Sequence, residues 1–175
     1  MQPGYDLRIR TMVKALKETV LPAIDETNRA AVEQAHILLG SLELLRQQID
    51  YAHWFEVSDA RGMAQLIRTV IREAQLGSAC EAETIAADAL REAERHDIPL
   101  SQLREANRRL RGAITKLIED AFACADASIG QHVQALVLAN SEEQIGRERA
   151  FVAAARFDVF PDNLRSIEEA LSGTP

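Results

Sequence analysis

The sequence predicts an all-α fold, an antiparallel bundle of about six to seven helices forming one domain over residues 1–175. Three observations carry this expectation. Glycine and proline are scarce and fall where helices should stop. No Asn-Gly or Asp-Gly hairpin signal occurs, and apolar residues recur at steps of three and four rather than in alternation. A chain of 175 residues is long enough to bury a real core, roughly 70% of its unfolded surface.

The first helix starts after Pro3-Gly4 and carries Ile9, Val13, Leu16 and Val20 on one face. Pro22 should end or kink it, because proline lacks a backbone donor and disfavours helical geometry at Leu21. Asp25 or Thr27 can cap a second helix whose apolar positions Ala31, Ala35, Leu38, Leu42, Leu45, Ile49 and Ala52 alternate steps of four and three. Such a seam pairs helices, with Gly40 inside it allowing close approach. A third helix is expected after Ser58-Asp59, with Met63, Leu66, Ile67, Val70, Ile71 and Ala74 turned inward and Gly77 as its stop.

Ser78-Ala-Cys-Glu81 reads as a capping box, opening an alanine-rich helix (Ala82, Ala86, Ala89, Ala93) that ends before Ile98-Pro99. Its small side chains should pack tightly against a neighbour. Ser101 opens a long fifth helix with Leu103, Leu110, Ile114, Leu117 and Ala121, and with Asn107 as a polar intruder. Gly130 should interrupt or kink it. Ser141-Glu-Glu-Gln144 reads as another capping box, starting a helix through Phe157. Phe160-Pro161-Asp162 makes a corner before a terminal helix with Leu164, Ile167 and Leu171, closed by Gly173.

Composition narrows the function classes. Hydrophobic content of 47% and charged content of 27% are those of an ordinary globular chain. A formal net charge of -7 repels polyanions on average, and 5% aromatics are too few for a base-stacking platform. Nucleic acid is therefore not the expected partner. Cys80 and Cys124 make no disulfide framework and read as two buried thiols in a reducing compartment. No secretory leader or membrane span is visible, so a cytoplasmic chain is expected.

The spacing Glu33-Gln-Ala-His36 is that of half a diiron ligand set. At about 100° per residue, however, Glu33 lies nearly opposite the seam and His36 well to one side. The second acid-histidine pair, Asp50 and His53, lies about 25 Å further along a continuous helix. These pairs cannot share one metal, and neither a metal nor a cofactor is expected.

His53 falls toward the seam, beside Ile49 and Ala52 and followed by Trp54. Tyr51, His53 and Trp54 are thus the candidate ligand-binding residues, with His53 as acid-base group or ligand anchor. The bland alternative is a core-edge histidine bonded to a neighbour. Arg104, Arg108 and Arg111 share one face of the fifth helix and are the candidate anion site, against the alternative of a solvated face neutralised by nearby acids. Glycine-rich phosphate loops, paired-cysteine metal motifs and nucleophile elbows are all absent from the sequence.

Val20-Leu-Pro-Ala-Ile-Asp25, set between an amphipathic helix and the Arg29–Gln48 helix, resembles the start of a group of small bacterial helical proteins of unknown function. Members of that group are often encoded beside aminoglycoside-phosphotransferase-like kinases and acyl-CoA dehydrogenases. The resemblance covers about the first third of the chain. It implies an accessory role beside such enzymes and transfers no catalytic residue. The sequence thus favours a helical interaction protein that presents a face to a partner or to itself, as in a homodimer. Behind it stand a small-molecule binder or enzyme at the His53–Trp54 cleft and, last, nucleic-acid binding through the arginine face.

Overall fold

A computed structural model describes residues 4–74, 76–155 and 158–172. The fold is all-α, with no strand among the described residues. Its elements are α1 (Tyr5–Ala15), α2 (Leu21–Ala23), α3 (Arg29–Gln48), α4 (Ala52–Ala74), α5 (Ala79–Ala93), α6 (Leu100–Ala123), α7 (Ala127–Phe151) and α8 (Ile167–Ser172). The expected end of a helix at Phe157 and the closure at Gly173 lie outside the described residues. Two compact units emerge, residues 1–51 with 148–167, and residues 52–147 with 168–175.

In the first unit α1 packs on α3. Ile9, Val13 and Ala35 are buried, Asp6–Arg46 joins the two helices at 3.7 Å, and Lys17, just past α1, meets Glu43 of α3 at 3.4 Å. Pro22 does not stop the chain's helical course at once. Leu16–Val20 widens into a π-helical turn, with Leu21 N–H bonded to Leu16 O, and helix resumes through Ala23. A wider turn accommodates the ring and the missing donor that proline imposes on the turn before it. The cap of α3 is Asn28 rather than Asp25 or Thr27. Its side chain accepts from Ala31 N–H at 3.2 Å, while Asp25 Oδ1 binds Thr27 in the preceding turn.

The second unit is built on α4, α5 and α6, which pack pairwise. Short connections after α4 and after α5 make successive helices antiparallel. Ile67, Val70, Leu103, Leu110, Leu117 and Val133 fill the core, each contributing about 1.5–3 kcal/mol by leaving water. Ala82, Ala86, Ala89 and Ala93 of α5 are buried, so this helix does approach its neighbours closely, as its composition predicts. The thiols are not buried as expected: Cys80, on the outer face of α5, is exposed, and Cys124, just past α6, is half-buried. Asn107 is wholly buried, and its Nδ2 donates to Glu56 O at 3.0 Å and Glu56 Oε2 at 2.7 Å, tying α6 to α4.

Three expected boundaries and one expected capping box are corrected. The seam does not continue as one helix to Ala52: α3 ends at Gln48, and Tyr51 N–H turns back to Gln48 O at 3.0 Å. Ser58-Asp59 does not start a helix but lies buried inside α4. Asp59 receives Arg111 Nη2 at 2.5 Å, so its carboxylate serves a tertiary contact instead of a cap. Ser78 does precede α5, but no reciprocal box forms. Its hydroxyl makes no capping bond, and Glu81 turns to Lys116 at 2.9 Å. Ser141 lies within α7, where its hydroxyl bonds back to Val137 O at 2.8 Å in place of a cap.

The break expected near Gly130 falls earlier, at residues 124–126, where Asp126 Oδ1 accepts from both the backbone and hydroxyl of Ser128. Gly130 has a packing reason. A Cβ there would lie 2.8 Å from Phe122 Cδ1.

Candidate functional site

His53, Trp54, Val57 and Arg61 occupy the first turns of α4 at neighbouring helical positions. With Ala93, Glu94 and His96 from the end of α5, they line a cleft of about 220 Å³. Trp54 is 60% exposed, while His53 Nε2 is closed off from solvent and has no hydrogen-bond partner. An imidazole nitrogen in that condition gains free energy from any donor, acceptor or water that reaches it. The predicted pair His53 and Trp54 therefore shares one cleft. Tyr51 sits in the turn before α4 and is not among the residues lining it.

Arg61 is distinguished by what it lacks. Among the described residues, every other arginine and lysine between 52 and 147 stands in an ion pair. Arg61 stands in none, although acids outnumber bases 27 to 20 in this chain. Sequence reasoning missed Arg61, Glu94 and His96. The signal was the spacing of His53, Val57 and Arg61 at steps of four, which becomes visible once α4 is known to start at Ala52.

The arginine face of α6 is already occupied. Arg104 meets Glu56 at 3.0 Å, Arg108 meets Glu105 at 2.5 Å, and Arg111 meets Asp59 at 2.5 Å. Glu105 is held below the usual carboxylate range by the Arg108 guanidinium. Each of these guanidinium groups thus stands beside an acid, Glu56 and Asp59 from α4 and Glu105 from α6 itself. Glu33 and His36 are both exposed, and His36 Nδ1 lies 2.9 Å from Val32 O of its own helix. Among the described residues no three His, Cys, Asp or Glu side chains gather as a metal site.

A second surface feature lies on α3. Of its residues only Ala35 is buried, whereas Ile37, Leu38 and Leu45 are 54, 51 and 46% exposed. At about 100° per residue these three fall within one arc with Ala30, Gln34 and Ser41, and no charged residue interrupts it. The seam is therefore only half covered, its open edge formed by Leu38 and Leu45. Within the described residues no helix is long and apolar enough to cross a membrane.

No family model matches this chain, and no curated protein or solved structure is similar to it.

Proposed function

We propose that this chain is an accessory protein that works by helix-mediated association, pairing through the open edge of α3 with a second copy of itself. The observation that carries this reading is the charge-free exposed stripe of Ile37, Leu38 and Leu45. Three aliphatic side chains on one helical arc, with no ionisable group among them, lose little by meeting apolar surface and gain by leaving water. A self-complementary stripe suits the two-fold interface of a homodimer. The resemblance of the Val20–Asp25 segment to small bacterial proteins encoded beside kinases and acyl-CoA dehydrogenases fits an accessory role. Sedimentation equilibrium at micromolar concentration tests it. A dimer is expected, and a strict monomer overturns it.

A second reading is favoured by the cleft of α4 and α5. An unpaired guanidinium, an unpartnered imidazole nitrogen and an exposed indole around one concavity are the makings of a small-molecule site. Specific ligands of such a site would raise the melting temperature by mass action.

A further inference from the structure

We propose that the cleft formed by His53, Trp54, Val57 and Arg61 of α4 with Ala93, Glu94 and His96 binds a small zwitterion, an α-amino acid with an apolar side chain. This rests on the small-molecule reading of the cleft and names the ligand class.

Charge carries the argument. Arg61 and Glu94 line the same cleft, yet neither makes an ion pair or a side-chain hydrogen bond among the described residues, and they do not pair with each other. Elsewhere in this unit arginines find acids readily, as Arg68 with Glu83 and Arg109 with Glu92 do. Opposite charges that share a concavity without joining leave room between them. A simple anion would satisfy Arg61 and be repelled by Glu94, and a simple cation would do the reverse. A ligand bearing both signs satisfies both.

Placement agrees with this division of labour. The guanidinium fork of Arg61 matches a carboxylate in two parallel hydrogen bonds. Glu94 is the C-terminal cap of α5, where the negative end of the helix dipole adds to its own charge and favours an ammonium group. Val57 and Ala93 supply apolar wall and Trp54 an aromatic surface, which together suit an aliphatic or aromatic side chain. His53 Nε2 offers one further polar contact, directly or through water. Volume limits the ligand. At about 220 Å³ the cleft lies below the roughly 300–1,000 Å³ of sites for drug-sized molecules.

Trp54 is the only tryptophan in the chain, so its fluorescence reports on this cleft alone. The full chain is titrated with L-leucine and L-phenylalanine. It is also titrated with 4-methylpentanoate, which is leucine without its ammonium, and with 3-methylbutylamine, which is leucine without its carboxylate. At least one amino acid should change the emission saturably, and both single-charge analogues should bind at least tenfold more weakly than leucine. Arg61→Gln and Glu94→Gln, both at exposed positions, should each weaken the amino acid at least tenfold with unchanged circular dichroism. Equal binding of 4-methylpentanoate or the amine would overturn the zwitterion while leaving a ligand-binding cleft. Full-strength amino-acid binding in both variants would overturn it by placing the ligand elsewhere. No response to any of the four compounds would overturn the zwitterion and the small-molecule reading together.

Discussion

Replacing Asp59 with alanine should be among the most damaging single substitutions in this protein. The Asp59 side chain is 2% exposed and receives Arg111 Nη2 at 2.5 Å, with Arg147 Nη2 3.9 Å from its other oxygen. Arg147 is itself 5% exposed and lies so close over α4 that a Cβ on Gly62 would sit 3.1 Å from its Nη2. Two unit charges 3.9 Å apart attract by about 4 kcal/mol at an effective dielectric of about 20. That agrees with the roughly 3–5 kcal/mol lost when one member of a buried pair is removed and the other is left uncompensated. Glu143, 3.5 Å from Arg147 Nη1, is half exposed and offsets only part of the loss. Asp59→Ala should therefore cost about 3–5 kcal/mol, or about 6–20 °C of melting temperature for a chain of this length. Urea denaturation followed by far-ultraviolet circular dichroism measures it. Arg108→Ala, which removes an exposed ion pair with Glu105, should cost far less, because water screens that pair. Asp59→Leu combined with Arg147→Met should recover most of the loss, since the two buried charges are then replaced by apolar groups and the half-exposed Arg111 turns to water. If Asp59→Ala costs no more than Arg108→Ala, the carboxylate is not a buried electrostatic anchor and the reasoning fails.

Other expectations follow from packing and titration. Leu110, wholly buried among α4, α5 and α6, should cost about 2–5 kcal/mol on change to alanine, read from the urea midpoint. A loss below 1 kcal/mol would mean that the site collapses around the missing side chain. Asp158 is held at about 2, against an ordinary value of 3.8, by the Arg149 guanidinium and the Phe160 backbone N–H. A carboxyl whose pKa is depressed in the folded state contributes stability that is fully present above its ordinary value. That contribution is lost as pH falls through about 2. The melting-temperature gap between the native chain and Asp158→Asn should thus shrink from about pH 5 to about pH 2, and a constant gap would contradict it.

The helical class was readable because the apolar period of α4, α5 and α6 is regular and tertiary packing follows it: Met63, Ile67 and Val70, and likewise Leu103, Leu110 and Leu117, all turn inward. Boundaries were less readable where a residue type serves two purposes. Ser58-Asp59 and Ser141 have the composition of caps, yet one group anchors arginines and the other bonds back within its own helix. The α3 seam was legible as a pattern but not as a state of burial, because periodicity reports which residues share a face and not what covers it. The cleft was half legible for a related reason. His53 and Trp54 stand together in sequence, whereas Glu94 and His96 arrive from another helix, and Arg61 was hidden behind the misplaced start of α4. That Arg104, Arg108 and Arg111 are neutralised depended on acids as distant as Glu56 and Asp59, which no spacing rule on α6 reveals.

The most direct test of the proposed association is sedimentation equilibrium of the native chain beside Leu38→Glu/Leu45→Glu. Both positions are half exposed, so the charges leave the fold intact while placing carboxylates on the stripe. A concentration-dependent dimer in the native chain and a monomer of unchanged circular dichroism in the variant are the predicted pair of results. A variant that dimerises as well as the native chain would show that the open edge of α3 is not where these molecules meet.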